Sequence, residues 1–223
     1  MTKPIVKVCC ISSLTEAYVA LEAGADWLGL VSEMPSGPGV ISLDEIAEIV
    51  ERLPSETRTV LLTSKLSFDE IFAQHHLVKT WGIQLVDRIP RTELEQLRKA
   101  LPKTHLIQVV HVRDKASISE ARSYESLVDA ILLDSGKPDA KDKTLGGTGE
   151  THDWDISKQV CAMSSLPVLL AGGLNSENVS AAKCIVHPSG FDLCSGVRTD
   201  GNLDRAKLKI FMHLVHKPRG FSK

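Results

Sequence analysis

The sequence lacks several features that would define its partners at once. No apolar run approaches the roughly 20 residues that a transmembrane helix requires. The 26 Lys and Arg residues nearly balance the 28 Asp and Glu residues, and the formal net charge of -2 argues against nucleic acid or an anionic membrane as the main partner. No Walker loop, GxGxxG fingerprint or Cys-x-x-Cys pair is present. We therefore expect neither nucleic-acid binding nor membrane insertion.

Cysteine is present but shows no framework. The five cysteines are an odd number without regular spacing, and the opening "MTKPIVKVCCIS" has no apolar leader followed by a cleavage site. Disulfides are rare in reducing compartments. These observations predict reduced thiols in a cytoplasmic protein.

The pattern that is present is an alternation of short apolar runs with amphipathic segments. Eight such strand-plus-helix units follow one another, from "IVKVCCIS" at the start to "GFDLCSG" and "NLDRAKLKIFMHLVHK" at the end. Continuously apolar strands are typical of parallel sheets covered on their outer face. The alternation predicts one α/β domain over residues 1–223, a (β/α)8 TIM barrel. An open doubly wound sheet is the structural alternative.

The first apolar run carries polar groups whose direction can be predicted from strand alternation. Lys7, Cys9 and Ile11 should share one face, and Cys10 should lie on the other. A lysine is tolerated inside a barrel when a carboxylate meets it. We therefore expect Lys7 to point inward and to pair with Asp192, with Cys9 on the same face and Cys10 packed against a helix.

A second candidate group ends the sixth apolar run. Asp134 follows "AILL", and the longest connection in the chain comes after it. In a barrel, Cys9 and Asp134 would face each other across the mouth as general base and general acid, with a nearby positive charge lowering the pKa of the thiol. The alternatives are a small buried hydrophobe for Cys9 and a loop-anchoring acceptor for Asp134.

Two glycine-containing strand ends predict an anion site. "LAGGLNSENV" places Gly172 and Gly173 before a helix, and "LCSGVRTDG" places Ser195 and Gly196 after the last strand. The loops after strands 7 and 8 commonly bind phosphate in this architecture, because backbone N–H groups are exposed there. Plain tight turns are the alternative reading.

These segments together resemble a known family. "VKVCCIS", "AILLDS", "GGTGETHDW", "LAGGLNSENV" and "DLCSGV" are similar, in the same order, to motifs of the phosphoribosylanthranilate isomerases. The resemblance spans nearly the whole chain and implies a (β/α)8 barrel. It also implies an Amadori rearrangement of an aldose amine phosphate, N-(5-phosphoribosyl)anthranilate, to a 1-deoxyketose phosphate without metal or organic cofactor.

The resemblance assigns roles to individual residues. Cys9 would remove the C2 proton of the sugar, and Asp134 would protonate the ring oxygen. The phosphate would be bound by backbone amides at Gly172, Gly173, Ser195 and Gly196. Gly147 and Gly149 would belong to a loop over the site, and the supporting polar groups would be Lys7, Gln84 and Asp192.

Four positions depart from the family pattern. Cys10 replaces a glycine, Gly39 stands nearest the position of a family arginine, Val86 replaces a histidine, and Arg198 replaces an acid. No Lys or Arg occurs from residue 26 through residue 51, so the anthranilate carboxylate lacks its expected counter-charge there.

The departures leave two explanations and three functions open. Either Arg198 or Arg88 replaces the missing arginine, or the substrate is a different phosphorylated sugar. The functions are phosphoribosylanthranilate isomerisation, isomerisation of another sugar phosphate by a diverged paralogue, and phosphometabolite binding without catalysis. The two enzymatic functions predict a small phosphorylated sugar as substrate, and the third predicts a phosphorylated metabolite as ligand. We expect a monomer or a homodimer.

Overall fold

The computed structural model describes residues 3–35, 37–136 and 152–217. Eight short apolar segments pair in parallel, in chain order, into a closed barrel. The strands are β1 (Ile5–Val8), β2 (Trp27–Val31), β3 (Arg58–Thr63), β4 (Gly82–Leu85), β5 (His105–His111), β6 (Ala130–Asp134), β7 (Val168–Leu170) and β8 (Gly190–Leu193). Pairing of β1 with β8 closes the ring. The predicted (β/α)8 barrel is confirmed, and an open doubly wound sheet is excluded.

A helix follows each strand and covers the outer face of the barrel. The helices are α1 (Leu14–Glu22), α2 (Leu43–Arg52), α3 (Phe68–Val78), α4 (Arg91–Ala100), α5 (Ala116–Tyr124), α6 (Trp154–Met163), α7 (Val179–Val186) and α8 (Arg205–His216). Ser42 begins α2 with a complete capping box to Glu45. Within the described ranges, no helix combines the length and apolarity needed to cross a bilayer.

Strand alternation produces two separate apolar layers. Leu28 and Leu30 of β2 belong to the large cluster between strands and helices. Trp27 and Val31 of the same strand belong to a smaller cluster inside the barrel. Members of the inner layer at the carboxyl ends of the strands, such as Val31, face the mouth of the barrel.

The alternation predicted for the first strand ends earlier than expected. β1 stops at Val8, and Cys10 adopts a left-handed backbone conformation with φ of 62°. This conformation reverses the alternation, so Cys10 joins the inner cluster and Ile11 joins the outer one. The prediction that Cys10 packs against a helix while Ile11 shares the face of Cys9 is wrong for this reason.

The chain after β8 forms a compact turn before the last helix. A 3-10 turn (Ser195–Val197) leads into a two-stranded hairpin of β9 (Arg198–Thr199) and β10 (Asn202–Leu203). Asp204 then caps α8 by accepting the N–H groups of Ala206 and Lys207. This turn holds Ser195 and Gly196 at the carboxyl end of the barrel, beside the end of β1.

Candidate active site

A buried ion pair lies inside the barrel between β1 and β8. The Lys7 ammonium is fully buried and donates a hydrogen bond of 2.8 Å to Asp192 Oδ1. Burial alone would lower the pKa of Lys7, but the neighbouring charges of Asp192 and Cys9 outweigh this effect and raise the pKa. The predicted inward direction of Lys7 and its pairing with Asp192 are confirmed.

Cys9 lies directly beyond this pair, on the inner face. Its side chain is buried, and burial raises the pKa of the Cys9 thiol to about 11, although the Lys7 ammonium acts in the opposite direction. The Lys7 charge does act to lower this pKa, as expected, but desolvation is the larger effect, so the pKa lies above that of an ordinary thiol.

Gly29 on β2 provides the space for these two side chains. A Cβ at this position would lie 3.0 Å from both the Cys9 Sγ and the Lys7 Nζ. The sequence analysis did not identify Gly29. The sequence feature that could have identified Gly29 is a glycine at an inward position among the mostly large, apolar side chains of "DWLGLVS".

Cys10 forms a disulfide with Cys194, which follows β8. The bond joins the end of the strand that carries Cys9 to the turn that carries Ser195. The prediction that all five thiols are reduced is wrong for Cys10 and Cys194, because the reversed backbone at Cys10 turns its sulfur toward β8. The free cysteines are Cys9, Cys161 and Cys184.

Gly39 approaches Cys10 closely and could not be a larger residue as the chain stands. A Cβ built on Gly39 would lie 2.5 Å from the Cys10 Cβ, and the φ of Gly39 is 75°. Side chains other than glycine are strained at such a φ. Cys10, which stands where the family has a glycine, and Gly39, which stands nearest the position of a family arginine, are thus in direct contact.

Asp134 ends β6 at the mouth of the barrel and is only partly buried. Its Oδ1 accepts the backbone N–H of Ser135 at 2.7 Å. Burial raises the pKa of Asp192; the Lys7 ammonium opposes this rise and the Asp134 carboxylate adds to it. The charge of Asp134 is therefore felt at the buried ion pair that borders Cys9. β1 and β6, which carry the two groups, flank β7 and β8 in the closed strand order.

The two glycine-containing segments come together at the ends of β7 and β8. Gly172 and Gly173 both have positive φ, 78° and 59°. A Cβ on Gly196 would lie 1.9 Å from the Leu174 carbonyl oxygen, so the two loops are in contact at a position where only glycine fits. The predicted residues after β7 and β8 are thus neighbours, as a shared anion site requires.

His152 is a further polar group at this end of the barrel that the sequence analysis did not identify. Its Nε2 lies 2.7 Å from Ser157 Oγ, and a Cβ on Gly172 would lie 3.1 Å from its Nδ1. Burial lowers the pKa of His152, while the Asp134 charge acts in the opposite direction. The motif "GGTGETHDW" contained this histidine, but nothing in its spacing indicated which way the ring would point.

The remaining predicted residues fall into two groups. Gln84 is buried on the inner face of β4, where its Oε1 has no hydrogen-bond partner. Gly147 and Gly149 lie outside the described residues.

The two arginines considered as replacements for the missing counter-charge are both engaged by the protein. The largely buried guanidinium of Arg198 contacts Glu16 at 2.8 Å and donates to the carbonyl oxygens of Gly201 and Cys10. Arg88 forms a two-pronged contact with Glu120, at 2.8 and 2.9 Å. Arg198 therefore holds the segment after β1 against the hairpin of β9 and β10, a structural role that the sequence analysis missed.

Comparison with known proteins agrees with this geometry. The family model described as N-(5'-phosphoribosyl)anthranilate (PRA) isomerase matches residues 6–213. The N-(5'-phosphoribosyl)anthranilate isomerase 2 of Methanosarcina mazei is 34% identical over 210 residues, which are 93% of this chain and 92% of that one.

Solved structures give the same result. The phosphoribosyl anthranilate isomerase of Thermotoga maritima is 28% identical, with a TM-score of 0.81 over 95% of this chain and 98% of that one. A phosphoribosyl anthranilate isomerase in complex with reduced 1-(o-carboxyphenylamino)-1-deoxyribulose 5-phosphate is 25% identical, with a TM-score of 0.78 over the same shares of the two chains.

Proposed function

Because the chain belongs to the N-(5'-phosphoribosyl)anthranilate isomerase family, we propose that it converts N-(5'-phosphoribosyl)anthranilate into 1-(o-carboxyphenylamino)-1-deoxyribulose 5-phosphate. The observation that carries this proposal is that Cys9 directly follows β1 and Asp134 ends β6, on either side of the two glycine-containing loops. A substrate whose phosphate lies on β7 and β8 would extend its sugar between the thiol and the carboxyl group.

The phosphate would be bound mainly by backbone. The two loops contribute N–H groups at Gly172, Gly173, Ser195 and Gly196, and backbone donors bind an anion without a counter-ion having to be buried. The Cys10–Cys194 disulfide adjoins this site and ties the second of the two loops to β1. It would keep the distance between the phosphate and Cys9 fixed, which is the kind of positioning that accelerates a reaction.

Asp134 would act first, as the general acid. Its proton would pass to the furanose ring oxygen, the C1–O bond would break, and the nitrogen lone pair would form an iminium at C1. A carboxyl group at the partly exposed end of a strand can then regain a proton from solvent.

Cys9 would act second, as the general base. The iminium acidifies the C2 hydrogen, and the Cys9 thiolate would remove that proton to give the enolamine, which becomes the ketose when C1 is protonated and the C2 hydroxyl loses its proton. The high pKa of the buried thiol makes the thiolate scarce but strongly basic. A cationic iminium beside it would favour the thiolate at the moment it is needed.

Isomerisation of a different sugar phosphate is the second candidate, and one observation favours it. The contact between Gly39 and Cys10 leaves no room for an arginine at position 39, in the loop after β2 that is called the second loop below. A substrate without a carboxylate would not need that arginine. The chemistry of Cys9 and Asp134 would be the same in both cases.

The deciding experiment is a direct assay. Purified protein is given N-(5'-phosphoribosyl)anthranilate and formation of the ketose product is measured, and the chain is expressed in a tryptophan auxotroph that lacks this step. We expect turnover and rescue. Conversion of another aldose phosphate in place of this one would support the second candidate, and tight binding of phosphate esters without turnover of any aldose would support a binding protein.

A further inference from the structure

Arg198 is a largely buried cation beside Cys9 to which the reaction above assigns no role. Its side chain is 8% exposed, and its Nη1 lies 2.8 Å from Oε1 of Glu16, whose side chain is 12% exposed. Nη2 of Arg198 lies 3.1 Å from the other carboxylate oxygen of Glu16, so the two side chains form a two-pronged ion pair. Such a pair fixes the direction of the guanidinium plane as well as its position.

Glu16 is in turn held by the main chain of two segments. Its Oε1 accepts the N–H of Leu203 in β10 at 2.8 Å, and its Oε2 accepts the N–H of Ser12 after β1 at 3.1 Å. Burial would raise the pKa of Glu16, but the hydrogen bonds from Arg198 and from these two N–H groups outweigh this effect and lower the pKa. Arg198 is therefore anchored to an ionised carboxylate that joins the last hairpin to the segment after β1.

The same guanidinium donates to the main chain of the two adjacent cysteines. Nη2 lies 3.4 Å from the Cys9 carbonyl oxygen and also donates to the Cys10 carbonyl oxygen. The N–H of Ile11 donates to the Gly29 carbonyl oxygen on β2, and because this peptide bond is trans, the Cys10 carbonyl group faces away from β2. Cys10 is buried, and a buried carbonyl group needs a donor. Arg198 supplies that donor.

This contact stabilises the left-handed backbone of Cys10. A φ of 62° is a conformation that residues other than glycine rarely adopt, so the surroundings must maintain it. The disulfide to Cys194 holds the Cys10 side chain but provides no donor for the Cys10 carbonyl oxygen. Arg198 therefore holds the peptide group between Cys10 and Ile11 in its reversed direction.

Cys9 lies between this peptide group and β8. Its N–H donates to the Leu193 carbonyl oxygen at 2.7 Å, and the Arg198 guanidinium faces the carbonyl group on its other side. A cysteine has a single χ angle between main chain and sulfur, so the direction of the main chain largely decides where Sγ points. We propose, on the premise of the proposed function, that Arg198 is a positioning residue: by holding the main chain after Cys9, it aims the thiol at the C2 hydrogen of the substrate.

This role predicts a selective loss of rate. A misplacement of about 1 Å can slow a reaction about 10²-fold. The turn that contains Ser195 and Gly196 is held by other contacts, because Cys194 is tied to Cys10 and Gly196 is packed on Leu174. Loss of the Arg198 guanidinium should therefore slow removal of the C2 proton and leave the affinity for a phosphorylated ligand nearly unchanged.

The test measures rate and affinity separately in Arg198→Met. We expect kcat with N-(5'-phosphoribosyl)anthranilate to fall about 10- to 100-fold. The reduced 1-(o-carboxyphenylamino)-1-deoxyribulose 5-phosphate that a related isomerase binds should keep its affinity within about threefold, and calorimetry should find the same number of binding sites per chain. The variant should convert substrate with deuterium at C2 more slowly than unlabelled substrate, because removal of that proton is then the slow step.

Two further variants complete the experiment. Arg198→Lys should recover part of kcat, because an ammonium group can still donate to the Cys10 carbonyl oxygen. Arg205→Met is the matched control, since Arg205 also forms an ion pair of 2.8 Å with a glutamate of α1, Glu22, but both side chains are exposed. Its loss should leave kcat within about twofold of the original value.

Several results would overturn the proposal. A kcat of Arg198→Met within about twofold of the original value would show that the guanidinium is not needed. A number of binding sites that falls together with kcat would mean that only folded protein is lost. Equal rates of the variant with the two isotopic substrates would place the slow step away from Cys9. If the original protein itself did not convert N-(5'-phosphoribosyl)anthranilate, the proposed function would fail and this inference with it.

Discussion

The two halves of the barrel mouth are built on different principles. The half formed by β6, β7, β8 and β1 is polar and tightly constrained: it contains the Lys7–Asp192 pair, the Cys10–Cys194 disulfide and a glycine whose neighbour leaves no space for a side chain. The half formed by β2 to β5 presents mainly apolar inner side chains, with the imidazole of His111 at its edge.

This difference matches the division of the proposed substrate. The sugar phosphate reacts, so the groups around it must be placed accurately, and backbone loops, ion pairs and covalent links do this. The aromatic group only has to be held, and an apolar surface with one or two polar contacts is enough. Of the four departures from the family pattern, Gly39 and Val86 lie in the second half and Cys10 contacts Gly39, whereas Arg198 follows β8 in the first half.

The largest expected effect lies in the first half. Cys9→Ser and Asp134→Asn should each lower kcat by about a thousandfold or more, because each removes a proton-transfer group, and general acid–base catalysis contributes about 10²- to 10⁴-fold. Turnover of N-(5'-phosphoribosyl)anthranilate is the measurement, with binding of the reduced product analogue as the check that the site is intact.

Cys161→Ser serves as the matched control, since Cys161 is a partly buried free thiol on α6, outside the barrel mouth. It should leave kcat within about twofold. Activity that survives in Cys9→Ser would remove the thiol from the proposed mechanism.

The second prediction concerns pH and the same thiol. A thiol must lose its proton to act as a base, and burial raises the pKa of Cys9 to about 11. Below that pKa the thiolate fraction rises about tenfold for each pH unit, so the ultraviolet absorbance of the Cys9 thiolate, taken as the difference between the original protein and Cys9→Ser, should still be rising steeply at pH 10. Circular dichroism at each pH checks that the barrel stays folded. A plateau reached below pH 9 would contradict a thiol with so high a pKa.

The strand assignments and the inward ion pair could be predicted from the sequence because each follows from a local rule. Apolar runs bounded by helix caps give the eight strands, and period-two alternation within "IVKV" places Lys7 on the face of Asp192. These rules need no knowledge of distant residues. They also hold best where the backbone is regular, which is true inside the barrel.

The errors occur where the backbone leaves a regular conformation or where a distant residue decides. Nothing in "CCIS" shows that Cys10 has a φ of 62°. That one torsion places Cys10 on the inner face and Ile11 on the outer face, and it brings Cys10 to Cys194, 184 residues away. The pKa of Cys9 likewise depends on burial by several strands, which outweighs the one charge that the local sequence suggested.

The third prediction tests how firmly the first half depends on its ion pair. Lys7→Met should lower the free energy of unfolding by about 3–5 kcal/mol, because it leaves the Asp192 carboxylate buried without a partner. Lys7→Met combined with Asp192→Asn should recover a large part of that loss. Arg52→Met is the control: its pair with Glu48 is exposed on α2, and its loss should cost less than about 1 kcal/mol in the same urea titration. Equal effects of the two single substitutions would mean that burial does not set the strength of the Lys7 pair.

The last prediction addresses the boundary between the halves, where Cys10 meets Gly39. We would measure it in a Cys194→Ser background, so that Cys10 has no disulfide partner in any variant. There, Gly39→Ala should cost about 1–3 kcal/mol, from its left-handed φ and from a Cβ built 2.5 Å from that of Cys10. In the presence of Cys10→Gly the same substitution should cost less, because the facing Cβ is gone while the strain at φ remains. The difference between the two costs is the coupling energy of the pair, and contacting residues typically give about 0.5–3 kcal/mol. A coupling near zero would show that the second loop moves away from β1 without penalty, in which case the loss of its arginine would have to be explained by the ligand and not by Cys10.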